Sequence, residues 1–214
     1  MMEEELIEEV KKILMDDYVN RLVNEKVAEF INNRFSDEKK WFIELSYCIL
    51  TANTSAKSSL KCIEALTKRD IIFYGSLNEI EKILRDVGYR YPRKRAEYIV
   101  KARERMKEVK KVVERYDDDL KRRDWLRRNI IGLGMKESSH FLRNIGFFNY
   151  AIIDRHILNI LLKYRITSID QRKINVRKYL ELEDIIKRLS MKIGLKPGIL
   201  DLYIWYMDTG EVLK

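Results

Sequence analysis

Apolar residues recur at spacings of three and four along most of the chain, and this spacing constrains the fold more than any other feature. In "LIEEVKKILMDDYVNRLVNEKVAEFI", residues 6–31, it is the pattern of an amphipathic helix with one buried face. Only 2 of the 214 residues are proline, and Pro92 is well placed to begin a helix. We find no trustworthy strand alternation, repeat or low-complexity linker, and we therefore predict an all-α protein.

One segment is more apolar than its neighbours. "KKWFIELSYCILTAN", residues 39–53, is expected to form a buried central helix that starts near Asp37. The chain has 2 cysteines, Cys48 and Cys62, which stand apart in the sequence. Two cysteines cannot form a four-cysteine metal or iron–sulfur site, so we expect both to be ordinary core residues.

The charge and hydropathy of the chain argue against a membrane-spanning or secreted protein and suggest the kind of partner it binds. No apolar run is long enough to span a membrane, and the acidic start "MMEEELIEEVKKIL" is unlike a signal peptide, so a cytosolic location is expected. The net charge is +9, with positive residues dense between Arg90 and Arg128. Such a stretch suits a polyanionic partner, but it is also typical of a solvated helix face, and charge alone leaves both readings open.

Two glycines interrupt the helical pattern at Gly132 and Gly134, in a chain with only 8 glycines. Each costs about 1 kcal/mol in a helix interior relative to alanine, so the pattern predicts a helix, a tight glycine turn and a second helix. The N–H groups at the start of the second helix could bind a DNA phosphate. An ordinary helix–helix turn would show the same two glycines.

Lys136 lies in the first turn of the predicted second helix, where a positive charge is electrostatically disfavoured. That setting favours the neutral amine, which is a nucleophile able to form a Schiff base with a sugar carbon. A lysine at this position therefore favours catalysis over simple turn formation.

Asp154 is a carboxylate in the otherwise apolar segment "AIIDRHIL", residues 151–158. A carboxylate there is costly unless it has a partner or a role. It could assist the lysine and stabilise positive charge on a ribose ring, or it could cap the helix that follows. One residue could do both.

These segments resemble a known family. "GLGMKESSHFLRNIG" followed by "IIDRHIL" resembles the hairpin and aspartate signature of the helix–hairpin–helix DNA glycosylases. "ELSYCILTANTSA", "GYRYPRKRAEYIV" and the ending "LDLYIWYMDTGEVLK" are similar to the archaeal-type 8-oxoguanine DNA glycosylase/AP lyase branch. The resemblance extends from Asp37 to Lys214. The four-cysteine cluster of some relatives is missing, so no iron–sulfur centre is expected.

The resemblance implies a two-lobed fold and a catalytic pair. One lobe would be the helical block 37–148, and the other would combine 1–36 with 149–214. Lys136 would attack C1′ of a flipped 8-oxoguanine nucleotide, with Asp154 supporting the transition state, and β-elimination would then nick the strand on its 3′ side. The expected partner is double-stranded DNA, bound by a nucleoid-associated monomer, with a monovalent cation as a candidate ligand of the hairpin.

Further roles also follow from the resemblance. Gly132 and Gly134 would contact DNA, and Asn53 would lie at the gap left in the duplex, although it could equally form a simple turn. Trp205 and Tyr91 would face the flipped base, unless they are core aromatics. The terminal Lys214 would reach the base pocket and help to separate 8-oxoguanine from guanine.

Two other functions fit the same residues. A non-catalytic helix–hairpin–helix module would use Lys136 only to contact a phosphate and Asp154 only to cap a helix. A glycosylase of the same fold could instead act on another damaged or mismatched base.

Overall fold

The computed structural model describes residues 2–169 and 174–214, and all regular structure in these ranges is helical. The all-α prediction is thereby confirmed. The helices are α1 (Met2–Leu14), α2 (Asp17–Arg34), α3 (Glu38–Thr51), α4 (Ala56–Thr67), α5 (Ile71–Tyr74), α6 (Leu77–Asp86), α7 (Pro92–Glu104), α8 (Met106–Arg115), α9 (Asp119–Asn129), α10 (Met135–Asn144), α11 (Arg155–Lys163), α12 (Val176–Ile193) and α13 (Pro197–Thr209).

The chain forms two compact units. One runs up to Asn32 and resumes from Leu142 to Lys214, and the other is Asn33–Phe141. The predicted helical block 37–148 covers most of the second unit and extends beyond it. Its assignment as one lobe of a glycosylase stays a prediction.

Helix α3 is the centre of the Asn33–Phe141 unit, as its apolar sequence predicts. The helix begins after Asp37, whose side chain accepts a hydrogen bond from the Lys40 N–H at 2.9 Å. Trp41 and Tyr47 are fully buried, and α3 packs against α4, α7 and α8.

The basic stretch of residues 90–128 is not simply a charged surface, because three of its arginines are buried. Arg95 donates to the Ala52 carbonyl, Arg122 donates to the Val113 carbonyl, and Arg123 donates to Ser139 Oγ. These guanidinium groups satisfy carbonyl and hydroxyl oxygens inside the unit. Any DNA contact from this stretch must therefore come from its other basic residues.

Cys48 and Cys62 are buried and form no disulfide within the described residues, which confirms that they are core residues. Burial raises the pKa of the Cys62 thiol to about 11. At neutral pH this thiol is therefore protonated and behaves as a small apolar side chain.

The other unit is built around α11, α12 and α13. Helix α11 packs along α13, and α12 contacts both α1 and α13. The Tyr203 hydroxyl donates to Asn20 Oδ1 at 2.9 Å and so ties α13 to α2. In the two described ranges, no helix has the combination of length and apolar character needed to cross a membrane.

Candidate active site

The two glycines lie in a tight turn between α9 and α10. Helix α9 ends at Asn129, and α10 begins at Met135. The Leu133 N–H donates to the Ile130 carbonyl at 3.2 Å, which closes the turn. The predicted helix–turn–helix is therefore present, and Lys136 lies in the first turn of its second helix.

Gly132 is needed both for its backbone conformation and for the space that it leaves. Its φ of +91° lies in a region that side chains disfavour. A Cβ atom here would lie 2.6 Å from Cδ2 of Tyr98, a residue of α7. The glycine therefore lets the turn approach the aromatic ring closely.

Gly134 has a different environment. Its φ is not positive, and a Cβ atom here would meet only Glu137 Oε2 at 3.0 Å, the tip of a flexible side chain. The Gly134 N–H donates to that same oxygen at 3.1 Å. Glu137 thus takes one of the N–H groups that could otherwise bind a phosphate.

Lys136 shares this carboxylate. Its Nζ lies 3.8 Å from Glu137 Oε1, and 23% of the lysine side chain is exposed. The amine is therefore partly buried beside the Glu137 carboxylate, yet a ligand can still reach it. Sequence reasoning missed Glu137, although a glutamate three residues after Gly134 has the spacing of a capping residue.

The turn that carries Asn53 is fixed by two side chains of the same unit. Asn53 has a φ of +62°, in the left-handed region that asparagine tolerates. The Tyr89 hydroxyl donates to the Leu50 carbonyl at 2.6 Å, and Arg95 Nη2 donates to the Ala52 carbonyl at 2.9 Å. The simple turn expected for Asn53 is therefore present, and its DNA role stays a prediction.

Arg95 also connects this turn to the hairpin. Its guanidinium lies 5.4 Å from the centroid of the Tyr98 ring, and that ring packs against Gly132. Tyr91 precedes α7 and is partly exposed, with the Arg90 guanidinium 5.0 Å from its ring centroid. Helix α7 thus contacts the Asn53 turn and the hairpin together.

Asp154 is the N-cap of α11. Its Oδ1 accepts hydrogen bonds from the His156 N–H at 2.8 Å and from the Ile157 N–H at 3.0 Å. The capping role is therefore confirmed. Both bonds use the same oxygen, and within the described residues Oδ2 makes no hydrogen bond or ion pair.

A second cluster, which sequence reasoning missed, includes His156, two residues after Asp154. His156 Nδ1 is 2.5 Å from Asp208 Oδ2, and its ring contacts Trp205 edge-on at a centroid distance of 5.3 Å. Trp205 is only partly buried. His156 and Asp208 lie 52 positions apart in the sequence, so no local motif reveals this pair.

The chain end is held in place. Lys214 is only 10% exposed, and its Nζ lies 3.6 Å from Glu29 Oε1 on α2. Before it, the Thr209 hydroxyl bonds to the Glu211 carbonyl and accepts the Glu211 N–H at 3.2 Å. The terminal residue thus has a defined position, which any role in recognition requires.

Comparison with known proteins shows the family. A family model described as 8-oxoguanine DNA glycosylase matches residues 23–195 of this chain. The chain belongs to this family. The 8-oxoguanine DNA glycosylase/AP lyase of Korarchaeum cryptofilum is 43% identical over 209 residues, which cover 94% of this chain and 99% of the relative. The family resemblance read from the sequence is thus confirmed.

Two solved members of the 8-oxoguanine DNA glycosylase family share the fold over their full length. The Methanocaldococcus jannaschii glycosylase/lyase, in complex with a 15mer DNA containing 8-oxoguanine, is 38% identical with a TM-score of 0.92, covering 98% of this chain and 100% of its own. The Thermotoga maritima 8-oxoguanine DNA glycosylase is 36% identical with a TM-score of 0.90, and the match covers 99% of this chain and 100% of its own.

The predicted site residues of this glycosylase-family chain divide between the two units. The Asn33–Phe141 unit carries the hairpin with Lys136, together with Asn53 and Tyr91. The remaining three, in the other unit, are Asp154, Trp205 and Lys214. In each unit the predicted residues belong to local clusters with defined contacts, while their roles in DNA binding and catalysis stay predictions.

Proposed function

We propose that this protein is a bifunctional DNA repair enzyme that excises 8-oxoguanine from double-stranded DNA and then nicks the strand. The observation that carries the proposal is Lys136. It is a partly buried lysine that directly follows a glycine hairpin. The chain belongs to a family whose relatives are named glycosylase/AP lyase. A glycosylase that activates water has no need of an amine at this point, whereas a lyase requires one.

The proposed reaction begins with extrusion of the damaged nucleotide, because its glycosidic carbon cannot be reached inside the duplex. The Lys136 amine attacks C1′, and the C1′–N9 bond breaks with its electron pair leaving on the base. The sugar ring opens to give a Schiff base on the lysine nitrogen. Loss of a C2′ proton then expels the 3′ phosphate by β-elimination, and hydrolysis of the Schiff base returns the amine.

Asp154 has the complementary role. As C1′ loses the base, positive charge develops on the deoxyribose ring, and a fixed carboxylate stabilises that charge. Oδ1 is engaged in capping α11, so Oδ2 is the oxygen that we assign to the sugar. The pairing of this residue with Lys136 in the reaction is part of the proposal.

The remaining roles complete the proposal. Trp205 and Tyr91 contact the flipped base, Asn53 lies at the gap in the duplex, and Lys214 contributes to base selection. Gly132 and Gly134 contact the DNA backbone, with a monovalent cation at the hairpin as a further prediction.

No iron–sulfur cluster is part of the proposal, because this sequence has 2 cysteines and such a cluster takes four ligands. We further propose that the enzyme acts as a monomer, which light scattering would test.

The test is borohydride trapping on a duplex that contains 8-oxoguanine. The wild-type protein should form a covalent adduct and nick the strand, and Lys136→Gln should do neither while still binding DNA. Lys11→Gln, which removes an exposed positive charge from α1, is the matched control and should keep both activities. Trapping by Lys136→Gln would overturn the assignment.

The same assay separates the two other functions. A non-catalytic DNA-binding module gives no adduct with any duplex. A glycosylase for another base forms its adduct faster on a mismatched or alkylated duplex than on the 8-oxoguanine duplex. The proposal requires excision of 8-oxoguanine to be the fastest reaction in such a panel.

A further inference from the structure

The segment that leads into Asp154 is buried but has no regular secondary structure. Residues 151–154 connect the turn after α10 to α11, and Ala151, Ile152 and Ile153 are 0%, 3% and 4% exposed. Buried N–H groups outside helices and sheets need other acceptors, because leaving one unpaired destabilises the fold. The acceptors in this case are three side chains.

Tyr179 of α12 binds the segment on both sides of Ile152. Its hydroxyl donates to the Ala151 carbonyl at 2.8 Å and accepts the Ile153 N–H at 3.3 Å. The tyrosine is itself only 2% exposed, so its ring position is set by packing. One fixed hydroxyl thus determines the path of the backbone directly before Asp154.

Two buried carboxylates bind the N–H groups that Tyr179 does not. Glu183 Oε1 accepts the Ala151 N–H at 3.3 Å, and Asp201 Oδ1 accepts the Ile152 N–H at 3.3 Å. Glu183 is 1% exposed and Asp201 is 4% exposed. With the tyrosine, these residues give each of three consecutive N–H groups its own side-chain acceptor.

Each carboxylate has a basic neighbour in the same unit. Lys187 Nζ lies 3.3 Å from Glu183 Oε2, and Arg143 Nη1 lies 3.9 Å from Asp201 Oδ2. Burying such pairs adds little to stability, because the loss of hydration offsets the attraction between the charges. The ion pairs alone therefore do not account for two buried carboxylates beside one short segment.

We propose that Tyr179, Glu183 and Asp201 are positioning residues for Asp154, and we name them the Asp154 clamp. The clamp fixes the backbone before Asp154, and the cap bonds to α11 fix the side chain after it. The direction of Oδ2 is then set from both sides. This inference rests on the proposed function, since it assumes that Oδ2 acts on the sugar.

The test is a double-mutant cycle on single-turnover excision of 8-oxoguanine. Tyr179→Phe keeps the ring and removes the hydroxyl, and we expect excision to slow about 10-fold, because small misplacements of a catalytic group are costly. In an Asp154→Asn background, the same change should slow excision less than 2-fold, since the group that it positions is already disabled. The matched control is Tyr203→Phe, which removes another buried tyrosine hydroxyl bond in this unit and should leave the rate unchanged.

A second measurement separates positioning from general damage to the fold. Borohydride trapping on DNA with a preformed abasic site needs Lys136 but no base departure, so Tyr179→Phe should trap at the wild-type rate. Equal slowing of excision in both backgrounds, or no slowing by Tyr179→Phe, would overturn the clamp while leaving the proposed function intact. If Asp154→Asn alone excises at the wild-type rate, the role of Asp154 is wrong and the clamp fails with it.

Discussion

Replacement of Gly132 by alanine is the sharpest test of the hairpin geometry. The backbone contribution comes from a φ of +91°, where a side chain costs about 1–2 kcal/mol. The steric contribution comes from the new Cβ, which would lie 2.6 Å from Tyr98 Cδ2. Restoring an ordinary contact of about 3.4 Å requires a movement of roughly 0.8 Å, and such overpacking costs about 1–3 kcal/mol. Together the two terms predict a loss of about 3 kcal/mol.

The assay is thermal unfolding followed by circular dichroism. For a chain of this size, a loss of about 3 kcal/mol lowers Tm by about 6–12 °C. Gly134→Ala is the matched control, because its φ is not positive and its Cβ would meet only the flexible end of Glu137. We expect that change to cost less than about 1 kcal/mol.

The steric term can be isolated with Tyr98→Ala. In that background the new methyl group meets no ring, so Gly132→Ala should cost only the backbone term of about 1–2 kcal/mol. If Gly132→Ala melts within 2 °C of the wild-type protein, or if Gly134→Ala is equally damaging, then the close approach of Tyr98 does not require this glycine.

Other predictions concern Asp154 and Lys214, the Cys62 thiol and the basic stretch of residues 90–128. Asp154→Asn should lower the excision rate on the order of 10²-fold, with less than about 1 kcal/mol lost in a urea titration, because the amide oxygen can still cap α11. Deletion of Lys214 should reduce the ratio of 8-oxoguanine to guanine excision without changing Tm; identical ratios would exclude its role in selection. The native Cys62 thiol should react with a thiol reagent at pH 8 far more slowly than the urea-unfolded thiol, since burial raises its pKa to about 11. Affinity for duplex DNA should fall steeply with salt, and a flat response would show that residues 90–128 do not bind phosphates.

The fold was largely predictable from the sequence, because helical periodicity and caps are local signals. Asp37 predicts the start of α3, and the apolar run after it predicts that this helix is buried. The buried arginines were not predictable in the same way. A sequence shows that Arg95 and Arg122 are charged, but the carbonyl oxygens that they reach depend on how α7 and α9 pack.

The candidate site was predictable only in part, for a similar reason. The spacing of Gly132, Gly134 and Lys136 predicts the hairpin, but it cannot show which glycine is sterically required. That depends on Tyr98, which lies 34 positions earlier than Gly132 and meets it only in the folded unit. The pair of His156 and Asp208 was missed because no local pattern links residues so far apart.

Asp154 shows why a structural and a catalytic reading of one residue need not compete. A carboxylate has two oxygens, and the N-cap uses Oδ1 for both backbone N–H groups. Capping immobilises the side chain and places it at the positive end of the α11 dipole. A carboxylate that is already fixed loses little further entropy when it stabilises a developing cation through Oδ2. The cap therefore positions the Asp154 side chain for its proposed chemistry. The Asp154 clamp positions the backbone that precedes it.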